Sequence, residues 1–145
     1  MNQVKPFIQE GNITRQLRNG DNIYGVENIL STVDSIDLKT VGVTNLFAVP
    51  SSLKCVVTKI IIRPTTVSGF VSVATLGVGT NGTEDDIMPS QALTGLDDVA
   101  EAYVYVPSGV IIVAQPADII KLGVDTGASA TTFIASVDLI GYFRP

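Results

Sequence analysis

Acidic side chains crowd one stretch of the chain: "TEDD" at Thr83 to Asp86, "LDD" at Leu96 to Asp98, and Glu101 just beyond. A hard cation such as calcium gathers roughly six to eight oxygen ligands, and loop carboxylates could supply several of them. The spacing lacks the alternating Asp-x-Asp-x-Asp-Gly frame with a distal Glu that such loops use, so a solvated acidic loop with no metal is expected. Nucleophilic and general-base chemistry is poorly provided for, because the chain has no histidine. Cys55 lies in the apolar run "LKCVVTKIII", where it reads as a small buried hydrophobe rather than an activated thiol. "GVGTNG" at Gly77 to Gly82 has the glycines of a dinucleotide loop without the βαβ unit that would aim a helix N-terminus at a phosphate. Carboxylate pairs of the glycosidase kind are formally present, but no motif sets them apart. The expectation is a protein that is not an enzyme and needs no cofactor.

Binding chemistry is sparse as well. Arg15 and Arg18 flank Gln16 and Leu17 and could meet carboxylates on a partner. The remaining basic residues are scattered and the net charge is −5, which disfavours binding along a nucleic-acid backbone. With four tyrosines and no tryptophan, an aromatic platform for sugars is thinly supplied. "NIT" at Asn12 and "NGT" at Asn81 satisfy the glycosylation triplet, but the N-terminus has no apolar signal core and the triplets read as accidental. No run of apolar residues reaches the length of a membrane span, so no membrane partner is expected.

The elements that must position these residues are β-strands. Residues 1–32 are polar, with single apolar residues between Asn, Gln, Gly and Arg; residues 33–145 are short β-branched runs separated by turn residues. That contrast predicts an N-terminal arm followed by one domain, an all-β antiparallel sandwich. Val26, Ile29, Leu30 and Val33 stand at helical spacing, so the end of the arm admits either a short helix or an extended segment. In the body, strands are predicted at 33–41, 45–49, 53–63, 70–79, 101–106, 110–114, 119–125 and 131–143. Pro64 is expected to end the third of them. The longest loop is predicted between Gly79 and Glu101.

Two strands are apolar on both faces. In "TTFIASVDLIGYFRP", residues 131–145, Phe133, Val137, Leu139 and Phe143 make an ordinary core face, yet the opposite face carries Ile134, Ile140 and Tyr142 around Asp138. Strict alternation in "LKCVVTKIIIRP" puts Val56, Thr58, Ile60 and Ile62 on one face, with Cys55, Val57, Lys59 and Ile61 on the other. Charged residues are only 16% of the chain, against roughly 25% in an average soluble domain. A monomer of this size exposes roughly 7,000 Å², and a ring of three would cover on the order of 800 Å² against each neighbour. Self-association is the economical use of the surplus apolar surface. Val56, Ile60, Ile62, Ile134, Ile140 and Tyr142 are therefore the expected oligomer contacts. Asp138, in the middle of such a contact, would need a cation, with Lys59 or Lys54 the candidates.

The stretches "NLFAVPSSLKCVVTKIIIRPTTVSG", "SVATLGVGTNGTEDDIMPSQALTGL" and "QPADIIKLGVDTGASATTFIASVDLIGYF" resemble the small jelly-roll modules of tailed-bacteriophage structural proteins, over about two-thirds of the chain. The closing hairpin also resembles that of the tumour-necrosis-factor type of trimeric jelly roll. The resemblance implies a homotrimeric decoration (cement) protein seated on the major capsid protein of a phage head, located in the virion. The arm would reach neighbouring capsid subunits through Phe7, Ile8, Arg15, Arg18, Ile23 and Tyr24. A tail or head-fibre receptor-binding module is the alternative it leaves open.

Overall fold

The computed structural model describes residues 26–145. Its strands are β1 (Asn28–Asp37), β2 (Gly42–Ala48), β3 (Lys54–Ser68), β4 (Thr75–Gly79), β5 (Met88–Ala92), β6 (Tyr103–Tyr105), β7 (Ile119–Thr126) and β8 (Thr132–Arg144), and no helix occurs among the described residues. They pair antiparallel in two four-stranded sheets, ordered β1-β8-β3-β6 and β2-β7-β4-β5. Only β4 and β5 are consecutive strands in the same sheet. Every other connection crosses the sandwich, an order compatible with a jelly roll.

The core lies between the sheets. Ile60, Ile62, Phe133, Val137 and Leu139 from the first sheet meet Leu76, Val78, Ile120 and Leu122 from the second in one cluster. Phe70, in the loop after β3, packs its ring on Phe133 with centroids 6.1 Å apart. The expected core face of the last strand is correct: Phe133, Val137 and Leu139 are buried and Phe143 packs at the edge of the cluster.

β8 is central and its neighbours are bulged on both sides at matching heights. On β3 the register passes from Val57 opposite Gly141 to Lys59 opposite Ile140, leaving Thr58 as an extra residue. On β1 it passes from Ile29 opposite Ile140 to Ser31 opposite Leu139, leaving Leu30 extra. A second pair of irregularities flanks Ala135, at Thr65 of β3 and at Asp34 and Ser35 of β1, where Ser35 takes a left-handed φ of 59°. Each bulge bends its strand and reverses the face on which later residues point.

Several boundaries differ from expectation for physical reasons. β3 runs on through Pro64 to Ser68. β6 pairs only with Ile60, Ile61 and Ile62, so at Pro64 that side of β3 has no ladder to interrupt, and the bulge at Thr65 absorbs the rest. Met88–Ala92, inside the predicted loop, is a strand; it is an edge strand, where Pro89 can be tolerated. The predicted strand at 110–114 is instead coil with a single bridge, from Ala114 to Cys55. The segment at Val26 to Val33 enters the sheet extended, so β1 overlaps the range expected for the arm over residues 28–32.

Candidate interaction surface

The outer face of the first sheet carries four of the six oligomer contacts expected from the sequence, Val56, Ile134, Ile140 and Tyr142. Across the strands, Ile29, Ile140 and Lys59 form one row, and Thr32, Asp138, Ile61 and Val104 form the next. Ile134 lies between Asp37 and Thr66, and Tyr142 lies opposite Val56. Ile134, Ile140 and Tyr142 are each partly exposed on this face.

Ile60 and Ile62 are not on this face. Both are 0% exposed inside the subunit's own core, which removes them as oligomer contacts. The extra residue Thr58 is the cause: it puts Cys55, Val57, Ile60 and Ile62 on the inner face, whereas strict alternation separates the first pair from the second. Val56 does face outward beside Tyr142, but it is buried within the subunit and offers little to another chain. Ile61 and Val104 occupy the positions expected of Ile60 and Ile62.

Asp138 has its cation within the same subunit. Arg63 Nε donates to Asp138 Oδ2 at 3.2 Å and Arg63 Nη2 to Oδ1 at 3.2 Å. Thr32 Oγ1 donates to Asp138 Oδ1 at 2.8 Å, Arg63 Nη2 also reaches Ser136 Oγ at 3.1 Å, and Ser136 Oγ donates to Asp34 Oδ1 at 2.8 Å. The expected partners, Lys59 and Lys54, stand opposite Ile140 and Arg144 instead. Arg63 lies diagonally across from Asp138, within the reach of a long side chain and suited to a two-pronged grip. With Arg63 43% exposed, the pair contributes about 1 kcal/mol or less to stability. Its larger consequence is that Asp138 is already paired, so covering it requires no counter-charge from a partner.

The acidic loop spends its carboxylates on itself. Asp86 accepts from Thr80 N at 2.7 Å and from Thr80 Oγ1 at 3.0 Å. Asp85 accepts from Thr83 Oγ1 at 2.6 Å and Asn81 Nδ2 at 2.7 Å, and these hydrogen bonds hold its carboxyl below the usual range. Glu101 Oε1 accepts from Asp97 N and Asp98 N at 2.8 and 2.9 Å. The Glu101 charge beside it pushes the Asp97 carboxyl above its ordinary value. Among the described residues no three Cys, Asp or Glu side chains converge as metal ligands. Asp residues that fold back on nearby backbone and hydroxyl donors are behaving as turn formers.

Cys55 is fully buried, and burial pushes its thiol up to about 11. The thiolate is the reactive form. Native protein at pH 8 is therefore expected to be inert to a disulfide or maleimide reagent, with labelling appearing only as the chain unfolds. Rapid stoichiometric labelling of native protein would contradict this burial.

The proposed arm residues Phe7, Ile8, Arg15, Arg18, Ile23 and Tyr24 lie outside the described residues. One surface that sequence analysis passed over is the segment after β6. Its signal was available: from Ala102 to Ala117 the chain has sixteen residues without a charge.

No protein-family profile and no curated protein matches the chain. Among solved structures, it is similar to a chain in the acidic stable capsid structure of Helicobacter pylori bacteriophage KHP30, at 17% identity and a TM-score of 0.58. That likeness covers 85% of this chain and 91% of the other. It is also similar to a chain of the cyanophage Pam1 capsid asymmetric unit, at 14% identity and a TM-score of 0.57, over 87% of this chain and 90% of that one. At these identities what is shared is the fold: a two-sheet β-sandwich also found within two phage capsid assemblies.

Proposed function

We propose that this protein is a non-enzymatic structural component of a phage virion, a decoration protein that trimerises on the capsid surface and stabilises the shell. The observation that carries the reading is the agreement of fold over about nine-tenths of each of two chains from phage capsid structures. The outer face supports it: Ile29, Ile61, Ile140 and Tyr142 surround a centre in which Arg63 pairs with Asp138, which favours close contact between large surfaces over capture of a charged ligand. A trimer multiplies individually weak contacts with the major capsid protein by effective concentration, and the shell then opens only if several let go together.

Rebinding to capsids stripped of the protein tests this reading. Full-length protein is expected to rebind in multiples of three and to raise the temperature at which the shell opens, while protein lacking residues 1–25 fails to rebind. The deletion must stop before Val26, because removing residues up to 32 would cut into β1. Absence of rebinding by full-length protein would overturn the capsid role. Full rebinding by the deletion would overturn the part given to the arm.

A further inference from the structure

Beyond β6 the chain presents "VPSGVIIV", residues 106–113, with the composition of a strand and no ladder partner among the described residues. β6 itself is a three-residue edge strand, and the next bridge is at Ala114. Val104 and Val106 are about half exposed, Ile112 is 43% exposed and Val110 is fully exposed. Natural edges of this kind are blunted by short strands, Pro, Lys or other charges, or a covering element; here β6 is short and Pro107 follows it, but from Ala102 to Ala117 there is no charge, and no described strand covers the segment. An apolar edge of this length that no described residue covers marks a contact surface.

The opposite edge of the same sheet is β1, where Ile29 is 59% exposed beside Ile140 and close to Tyr142. We infer that the uncharged edge from Val104 to Ile112 of one copy docks on the Ile29, Ile140 and Tyr142 corner of a second copy, joining the subunits head to tail in a closed ring. Each chain carries a net charge of −5, so copies approach at least cost where neither surface is charged. The edge patch meets that condition; the corner carries one charge of each sign, Lys59, whose stem can lie along Ile140 with its ammonium in water, and Glu27, which accepts from Thr58 Oγ1, so the two cancel. Pairing the edge with itself would close a dimer and leave the Ile29 corner wet, whereas a head-to-tail contact covers both patches on every subunit. The ring size is taken from the trimer in the proposed function and rests on it; the pairing of the two patches does not.

Light scattering on the full chain tests the inference. Val110→Lys with Ile112→Lys, and separately Ile140→Lys, are each expected to give folded monomers at concentrations where the native protein forms rings. Val71→Lys, exposed but outside both patches, should keep the ring. Because Cys55 is buried, introduced thiols can be addressed alone. A Val110→Cys chain mixed with an Ile29→Cys chain should form a covalent heterodimer with a short bismaleimide, and neither chain alone should form one. Rings that survive both sets of lysines, 110-to-110 links, or a native chain that is monomeric would each overturn the inference. A monomer that still rebinds stripped capsids would separate this failure from that of the capsid role, and rings that do not rebind would do the reverse.

Discussion

Ile60→Ala and Ile62→Ala are each expected to lower the free energy of unfolding by about 2–5 kcal/mol, and Ile61→Ala by under about 1 kcal/mol. The three residues are consecutive, so the contrast depends only on which way each side chain points. Ile60 and Ile62 are completely buried between the sheets, where truncation removes transfer energy and leaves a cavity that the tightly packed core cannot close. Ile61 is partly exposed on the outer face opposite Asp138 and Val104. Urea unfolding of the three variants measures the difference directly. The proposed self-association gives a second readout: Ile61→Ala should weaken association more than it weakens the fold, while Ile60→Ala and Ile62→Ala should do the opposite. A larger loss at Ile61 than at Ile60 and Ile62 would mean that the Thr58 bulge is not formed and that β3 keeps strict alternation, which puts Ile61 on the Cys55 and Val57 face.

That single bulge explains much of what could and could not be read from the sequence. The two-sheet all-β class was legible, because β-branched runs divided by turn residues leave little room for helices. The faces of β8 were legible too, since β8 passes between its bulged neighbours without an extra residue of its own. β3 has the same apolar richness, but its alternation breaks at Thr58, a residue that carries no local mark of a bulge. The Thr58 hydroxyl donates to the Glu27 carboxylate and lies 3.2 Å from the Ile140 carbonyl, and both neighbours are distant in sequence. Asp138 shows the same limit: the need for a cation was visible, but the diagonal that selects Arg63 over Lys59 exists only once the strands are in register. β5 was hidden by Pro89, which argues against a strand unless the strand is known to be an edge. The converse error, a strand expected at 110–114, came from a sequence that has strand composition but, among the described residues, pairs only through the Ala114 bridge to Cys55.

Gly141→Ala is expected to cost about 1–3 kcal/mol and Gly141→Val about 3 kcal/mol or more, the upper part of the overpacking range. Gly141 sits on β8 between Asn28 of β1 and Val57 of β3, at the height where both neighbours bulge. A Cβ there would overlap the carbonyl oxygen of Val56 and come within 3.0 Å of Leu30 Cδ1 and 3.1 Å of the Val56 carbonyl carbon. The leucine tip can turn away. The carbonyl is main chain within the β3 ladder and can move only if the strand does. Gly42→Ala, at a position whose added Cβ meets nothing within 4 Å, serves as the control and should stay within about 0.5 kcal/mol of the native chain. Register is what Gly141 protects: a shift of one residue to relieve the overlap would send Ile140 and Tyr142 inward and their neighbours outward. The valine variant should therefore lose self-association at denaturant concentrations where its secondary structure is still intact. A variant that keeps both stability and association would mean that β3 can yield at Val56, so that the paired bulges do not fix the outer face.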